Sequence, residues 1–229
     1  MNRGTTTVTA SYFDVDGTLV RTNLMHTAVF YMANEINPVR SALSLGKLAL
    51  RAPKLLFAEL RDRRMFNEML FECFADHSED RIEVLADECF EYAMKDSLYE
   101  GARDLIKRHK DQGHEVVLVS GALDFMLKRL VKELGADTYI GNRLEYKDLI
   151  ATGKLLRPVV AGPTKSRLIV DHARSNGHDL DECFGYSDSY SDVPMLSVVG
   201  RPAAVNPDRQ LLRLARAYQW PVIRLDGAA

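Results

Sequence analysis

The sequence lacks the features of a secreted, membrane-spanning or nucleic-acid-binding protein. It has only three cysteines in 229 residues, with neither a CxxC pair nor a Cys/His metal spacing, which favours a reducing compartment. The first ten residues have no apolar signal-peptide core, and the most apolar window, residues 41–60, is interrupted by Lys47, Arg51 and Lys54. A net charge of −2 gives no general attraction for nucleic acid. We therefore expect a cytoplasmic protein with no integral membrane span and no nucleic-acid partner.

The pattern of apolar residues divides the chain into an α/β part and a helical insertion. Residues 7–13 are β-branched and aromatic, as in a buried strand, whereas residues 22–97 have helical periodicity, with Pro38 and Pro53 expected to separate helices. From residue 101 helices alternate with apolar strands, apart from one hairpin after residue 142. The sequence predicts a Rossmann-like core with a parallel sheet over residues 1–21 and 98–229. An all-helical cap domain is predicted over residues 22–97.

Two aspartates directly follow the first predicted strand, in the stretch SYFDVDGTLV. With the period of a strand, Asp14 and Asp16 point to the same face, and Val15 points to the opposite face. Two adjacent carboxylates need compensation by a cation, a shared proton or a nearby lysine, and each of these is a form of site chemistry. The alternative is a glycine-centred turn with solvated aspartates.

Further polar residues follow later strands of the predicted sheet. Ser120 lies in LVSGA, Lys165 opens a helix, and Asp188 lies in GYSDSYSDVPML. In open parallel sheets the ligand site lies at the carboxyl ends of the strands, which is where Asp14, Ser120 and Asp188 fall. Each has a purely structural alternative: a strand-to-helix turn at Ser120, a solvated first-turn lysine, and a helix-capping role for Asp188 with Asp192.

Taken together, the FDVDGT, LVSGA, Lys165 and GYSDSYSDVPML motifs, in this order, resemble those of the haloacid dehalogenase (HAD) superfamily. The likeness is strongest to its phosphoserine-phosphatase-like branch, subfamily IB, in which a helical C1 cap follows the first motif. The resemblance covers nearly the whole chain, including YEGARDLI and NRLEYKD. It implies a HAD core, and a phosphatase that hydrolyses a phosphate monoester with Mg²⁺ through an aspartyl-phosphate intermediate.

The resemblance also implies roles for individual residues. Asp14 is the expected nucleophile, and Asp16 is the general acid and then the general base. Mg²⁺ is expected on Asp14, the main-chain carbonyl of Asp16 and Asp188, with Asp192 as a further ligand or an orienting residue. A cation and a lysine are needed because a carboxylate nucleophile would otherwise be repelled by the phosphate dianion. The expected phosphate-binding residues are Gly17, Thr18, Ser120, Gly121 and Lys165.

The substrate is less well specified by the sequence than the reaction. In phosphoserine phosphatases an acidic residue nine positions after the nucleophile receives the substrate ammonium group, and here that position is Asn23. We therefore expect a small phosphorylated substrate, either an anionic metabolite or a lysophospholipid-like monoester. A phosphoserine phosphatase and a phosphotransferase of the same family are the alternatives, and the oligomeric state is left open.

The cap segment over residues 39–64 is strongly basic. It contains two acidic residues, Glu59 and Asp62, and seven basic ones: Arg40, Lys47, Arg51, Lys54, Arg61, Arg63 and Arg64. Leucines and Phe57 lie between them. One hypothesis is a peripheral contact with a membrane surface that carries the substrate. The alternative is a cap helix with a buried apolar stripe and a solvated basic face.

Three other classes of protein are less consistent with the motifs. Phospho-accepting receiver domains use a strand-end aspartate and Mg²⁺, but lack the second aspartate of DxD and the large cap. Carbon–halogen dehalogenases do not keep an acidic residue at the position of Asp16. A binding module without activity would not need every charged group of the constellation.

Overall fold

The computed structural model describes residues 9–35 and 37–225 of the chain. In this part the strands are β1 (Ala10–Phe13), β2 (Glu115–Leu123), β3 (Thr138–Asn142), β4 (Leu144–Lys147), β5 (Ile150–Leu155), β6 (Phe184–Ser187), β7 (Arg201–Val205) and β8 (Val222–Ile223). The α-helices are α1 (Leu24–Ala33), α2 (Pro38–Arg61), α3 (Arg63–Phe71), α4 (Glu79–Cys89), α5 (Ala102–Asp111), α6 (Asp124–Leu134), α7 (Pro163–Asn176), α8 (Val193–Leu196) and α9 (Arg209–Ala217). Residues 7 and 8 of the predicted first strand lie outside the described residues.

Six parallel strands form the main sheet, in the order β3-β2-β1-β6-β7-β8. The four residues of β1 are fully buried, and Phe13 is in register with Leu118 of β2 and Tyr186 of β6. Apolar runs of this kind are expected of parallel strands that are covered on both faces by helices. The predicted α/β class with a parallel sheet is confirmed, and β4 and β5 form the predicted antiparallel hairpin.

Helices α1 to α4 come from the chain between β1 and α5, where the helical cap is predicted. The segment packs on the core partly through aromatic rings: Phe74, in the short turn after α3, has its ring centroid 4.6 Å from that of Tyr31 in α1 and 5.8 Å from that of Phe125 in α6. The Tyr31 hydroxyl donates a hydrogen bond of 2.9 Å to the Ile82 carbonyl, which ties α1 to α4. The division at residues 22 and 97 into two domains stays a prediction.

Helix boundaries inside the cap differ from the prediction in two places. Pro53 does not separate helices, because α2 continues through it from Pro38 to Arg61. The helix tolerates this proline because the carbonyl left without an N–H partner belongs to Ala49, which is exposed to water. The next helical stretch is not continuous either, since Asp62 adopts an extended conformation and its carboxylate caps α3 at Arg64 N.

Ser120 and Gly121 lie within β2 and not after it. The pairing of β2 with β3 is irregular between Val119 and Leu123, so β2 continues through Ser120 and Gly121 while its regular hydrogen bonding to β3 is interrupted there.

Among the described residues, none of the helices is both long enough and apolar enough to span a bilayer.

Candidate active site

The two aspartates of the first motif lie at the carboxyl end of β1. The main-chain N–H of Asp14 donates to the Tyr186 carbonyl at 2.9 Å, which prolongs the pairing with β6 by one residue. The chain then turns at Gly17, whose φ of +81° lies in the left-handed region that favours glycine. Asp14 and Asp16 both line a cleft between the sheet and the cap, whereas Val15 is buried on the other side. The solvated-turn alternative is therefore wrong.

Lys165 projects from the first turn of α7 into the same site. Its ammonium nitrogen lies 2.6 Å from Asp14 Oδ1 and 2.9 Å from Asp192 Oδ2. Asp192 Oδ2 also accepts a hydrogen bond from Ser187 Oγ at 2.9 Å, and its side chain makes no capping hydrogen bond to α8. Lys165 is thus a buried ion-pair partner, not a solvated lysine, and Asp192 holds its ammonium group in place.

Asp188 lies directly after β6 and reaches Asp14 through a shared hydroxyl. Thr18 Oγ1 is 3.0 Å from Asp14 Oδ2 and 3.0 Å from Asp188 Oδ1, and it accepts a hydrogen bond from Asp188 N at 3.0 Å. The single hydroxyl proton can serve only one of these two carboxylates at a time. The predicted convergence of these two acids from distant parts of the sequence is what the structure shows.

The remaining predicted phosphate-binding groups lie beside the carboxylates. Ser120 Oγ donates to Asp16 Oδ2 at 2.9 Å and accepts from Ala122 N at 2.9 Å. Gly121 lines the cleft, and a Cβ at that position would lie 2.7 Å from Asn67 Nδ2. The hydroxyls of Thr18 and Ser120 are both buried and both directed at carboxylates. Their role as phosphate ligands stays a prediction.

The carboxylates of the site lie close together and are buried, and both effects change their pKa values. Burial, followed by the charge of Asp14, raises the pKa of Asp16 to about 7 and that of Asp188 to about 8. Burial also raises the pKa of Asp14, although Lys165 opposes this effect. For Lys165 itself burial lowers the pKa, but Asp14 and Asp192 together outweigh burial, and the pKa is raised. Lys165 pairs with Asp14 and Asp192, and Arg63 acts on Asp16, so the site still holds more carboxyl groups than basic groups, an imbalance that a cation would compensate.

The donor set fits a divalent cation. Asp14 and Asp188 present carboxylate oxygens, which are the hard ligands that Mg²⁺ prefers. The absence of a side chain at Gly17 lets the Asp188 carboxylate lie against the turn, since a Cβ there would lie 2.3 Å from Asp188 Oδ2. Asp192 is already engaged with Lys165, which favours an orienting role over a ligand role for this residue.

The cleft has a volume of about 220 Å³, and the cap supplies much of its wall. Its lining residues from the cap are Asn23, Leu24, Met25, Glu59, Arg63, Phe66 and Asn67. Glu59, Arg63 and Asn67 were not among the predicted site residues. Asn67 is buried, and its amide donates to the Val160 carbonyl at 3.3 Å, a contact between cap and core beside the site.

Asn23 lies at the cleft, at the position that the resemblance singled out, but its side chain is already engaged. Its Oδ1 accepts a hydrogen bond from Met25 N at 3.1 Å and lies 2.9 Å from His26 Nδ1, so Asn23 caps α1. Asn23 therefore fixes the start of the cap helix that forms one wall of the cleft. A contact with substrate stays a prediction.

A parallel sheet whose carboxyl edge gathers a DxD pair, a buried lysine and two further aspartates defines a phosphohydrolase site. The comparisons with known proteins agree with this class. A model of the family described as haloacid dehalogenase-like hydrolase matches residues 12–197. The chain belongs to this family of hydrolases, and it is a phosphatase.

Individual relatives cover most of the chain. An "Inhibition of morphological differentiation protein" from Streptomyces azureus is 33% identical over 219 residues, which are 94% of this chain and 78% of the relative. A phosphoserine phosphatase from Mycobacterium tuberculosis is 29% identical over 214 residues, covering 93% of this chain and 70% of the relative. The structure of a substrate-bound phosphoserine phosphatase has a TM-score of 0.69 at 20% identity, covering 94% of this chain and 92% of that chain. At this identity the last similarity shows the fold.

Proposed function

We propose that the protein hydrolyses a small phosphate monoester with Mg²⁺ through an aspartyl-phosphate at Asp14. The observation that carries the proposal is the position of the Asp14 carboxylate, with one oxygen against Lys165 and the other against Thr18, at the wall of a cleft. These two contacts fix the Asp14 carboxylate in one orientation. A fixed carboxylate at the cleft is arranged for in-line attack on the phosphorus of a bound ester, as a carboxylate that turns freely in water is not.

The two chemical steps use the same pair of aspartates. A carboxylate oxygen of Asp14 bonds to phosphorus while the bond from phosphorus to the ester oxygen breaks, and Asp16 gives its proton to the leaving alkoxide. Asp16 then takes a proton from water, whose oxygen attacks phosphorus and releases inorganic phosphate and free Asp14. Ser120 donates to Asp16 Oδ2, which holds this carboxyl in position for both transfers.

Charge compensation comes from residues of three motifs. Mg²⁺ bound by Asp14, Asp188 and the main-chain carbonyl of Asp16 would reduce the repulsion between the phosphate and the nucleophile. Lys165 supplies a second positive charge, and Asp192 orients its ammonium group against Asp14. In this proposal Gly17 and Gly121 allow close approach to the phosphoryl group because neither has a side chain.

The residues of the cleft favour a compact anionic substrate. Arg63 from the cap and Lys165 from the core provide positive charge on the wall, and a volume of about 220 Å³ suits a small molecule. A second candidate is phosphoserine, which the name of the M. tuberculosis relative suggests. The observation that favours it is Glu59, an acidic residue of the cap that lines the cleft and can receive an ammonium group where Asn23 cannot.

The proposed chemistry is tested with Asp14→Asn, measured as phosphate release from p-nitrophenyl phosphate with Mg²⁺. We expect a loss on the order of 10⁴-fold or more, since the variant keeps the shape of the site but not its nucleophile. Asp171→Asn, an exposed aspartate of α7, is the matched control and should keep full activity. Phosphate release that survives Asp14→Asn would overturn the mechanism. Transfer of the phosphoryl group to added alcohols faster than to water would favour the phosphotransferase alternative.

The second candidate needs a comparison between two substrates. Glu59→Gln should raise the KM for phosphoserine by about 10-fold, because the ammonium group loses its charged partner. It should leave the KM for the same ester without the amino group unchanged. Equal effects on both substrates would reject phosphoserine as the substrate that Glu59 recognises.

We also propose a cytoplasmic location, in keeping with the three free cysteines.

A further inference from the structure

Helix α2 carries two apolar stripes, and only one of them is buried. Leu48 and Leu55 face inward, and Leu55 is only 3% exposed. The second stripe points to solvent, and of the fifteen large exposed apolar side chains in the described part of the protein, six are on this helix. These six, here called the outer stripe, are Val39, Leu43, Leu50, Leu56, Phe57 and Leu60.

The outer stripe is not a scatter of single exposed residues. Leu43, Leu50 and Phe57 are each seven residues apart and 59%, 85% and 55% exposed, so they share one face of the helix. Scattered exposed apolar residues need no explanation, but a continuous apolar face on a helix of about 36 Å does. The alternative drawn from the sequence, a buried apolar stripe with a solvated basic face, accounts for Leu48 and Leu55 but not for the outer stripe.

A row of positive charges runs along one edge of the outer stripe. Arg40, Lys47, Lys54 and Arg61 also recur every seven residues, and all four are exposed. The only acidic residue of α2 is Glu59, which lines the active-site cleft on the other side of the helix. A shallow depression of about 310 Å³ lies beside the stripe at Phe57 and Pro53.

We propose that the outer stripe and its basic row dock α2, lying flat, on the surface of an anionic lipid bilayer. A helix with an apolar face and a lysine- and arginine-rich edge lies in the interface, with the apolar side chains among the acyl chains and the basic ones at the headgroups. Leu50 and Phe57 enter the bilayer, and Lys47 and Lys54 contact the headgroups.

The charge distribution distinguishes this occupant from a second copy of the chain. In an antiparallel pair of α2 helices the basic rows would face each other and repel. In a parallel pair the row of one copy would face the opposite edge of the other, where Ala42, Ala49 and Leu56 recur every seven residues without any acidic residue. An anionic surface supplies negative charge along the whole row.

The proposal does not depend on the chemistry at Asp14, since Asp14→Asn should bind vesicles as the wild type does. The test is co-sedimentation of the full chain with vesicles of phosphatidylcholine alone or with ~30% phosphatidylglycerol, at two salt concentrations. We expect binding to the anionic vesicles that weakens with salt, and little binding to the neutral ones.

Two pairs of substitutions separate the apolar and charged contributions. Leu50→Gln with Phe57→Gln should weaken binding at least ~10-fold, and Lys47→Glu with Lys54→Glu should remove the dependence on anionic lipid. The matched controls are Val84→Gln with Tyr92→Gln, which are exposed apolar residues elsewhere in the cap, and Lys132→Glu with Arg213→Glu on core helices. Because all the altered residues are exposed, hydrolysis of p-nitrophenyl phosphate should be unchanged and should report intact folding.

Three results would overturn the proposal. They are no sedimentation of the wild type with anionic vesicles at low salt, equal loss of binding in the control pairs, and unchanged binding in both test pairs. Analytical ultracentrifugation without lipid adds a further outcome. If the wild type does not bind vesicles but forms a dimer, and Leu50→Gln with Phe57→Gln dissociates that dimer, the outer stripe is a contact with a second copy of the chain instead.

Discussion

The ammonium nitrogen of Lys165 lies 2.6 Å from Asp14 Oδ1, and the two side chains are only 8% and 6% exposed. The attraction within such a pair is offset by the loss of hydration of both ions, but removal of one partner leaves a buried charge without compensation. The contact that orients the proposed nucleophile is therefore also a point on which stability depends.

Lys165→Met should destabilise the protein in metal-free buffer by ~3 kcal/mol, because Asp14 and Asp192 lose their shared counter-charge. Adding Asp14→Asn to this variant should recover part of the loss, since one of the two unpaired carboxylates becomes neutral. The free energy of unfolding, measured by urea denaturation of the wild type, both single variants and the double variant, gives the coupling energy. Lys132→Met on the exposed face of α6 is the control and should cause little change. A coupling energy near zero would contradict the ion pair.

Addition of Mg²⁺ should stabilise the folded protein independently of any substrate. The cation binds the native arrangement of Asp14 and Asp188 and not the unfolded chain, so a concentration 100 times Kd should add ~2.7 kcal/mol to the free energy of unfolding. Thermal unfolding with EDTA and with increasing Mg²⁺ measures the effect. Asp188→Asn should lose most of the shift, whereas Asp171→Asn should keep it. An unchanged melting temperature in the wild type at millimolar Mg²⁺ would contradict the proposed metal site.

Gly17 and Gly177 provide a matched pair for the space beside the carboxylates. Both have positive φ, +81° and +73°, but a Cβ at Gly17 would lie 2.3 Å from Asp188 Oδ2, and a Cβ at Gly177 would contact nothing within 4 Å. Each alanine substitution should destabilise the fold by ~1 kcal/mol because alanine is strained in this conformation. Only Gly17→Ala should also lose phosphatase activity and Mg²⁺ binding, since Asp188 has to move. Similar activity in the two variants would show that the close approach at Gly17 is not needed.

The core of the site could be predicted from the sequence because its residues follow buried strands. The apolar run before Asp14 and the one before Asp188 indicate parallel strands, and parallel strands bring their carboxyl ends to one edge. The convergence of Asp14 with Asp188 follows from this pattern. Lys165 is different: nothing in its local sequence separates a buried ion-pair partner from a solvated lysine, and only the order of the motifs singled it out.

The contribution of the cap could not be predicted in the same way. Arg63 faces the cleft because Asp62 ends α2 and starts α3, which changes the direction of the helix axis, and a continuous helical pattern over this stretch conceals the break. Glu59 and Leu60 are adjacent, yet the first lines the cleft and the second is 79% exposed. Periodicity gives the angle between two faces of a helix, but it does not say which face meets the core when both are apolar.

The protonation of His109, a buried histidine of α5, makes the stability of the protein depend on pH. Its Nε2 lies 2.7 Å from the Tyr186 hydroxyl and its Nδ1 lies 2.8 Å from His114 Nδ1, under the sheet and away from the carboxylates. Burial, together with the charges of His114 and Arg108, lowers the pKa of His109 from 6.5 to about 4. Between these two values the unfolded chain binds a proton that the folded protein does not bind. The free energy of unfolding therefore falls as the pH is lowered from 6.5 towards 4, and this contribution is fully present above pH 6.5.

His109→Gln should make the stability less sensitive to acid. Between pH 7 and pH 5 the free energy of unfolding of this variant should fall by ~1 kcal/mol less than that of the wild type, because water near the ring screens part of the effect. The measurement is urea denaturation at both pH values. The comparison with the wild type cancels the contributions of the titratable groups that do not contact His109. His26→Gln, a change at an exposed histidine of α1, should leave the wild-type difference between the two pH values intact. If His109→Gln and the wild type lose the same stability over this interval, His109 is not held neutral by its surroundings in the folded protein.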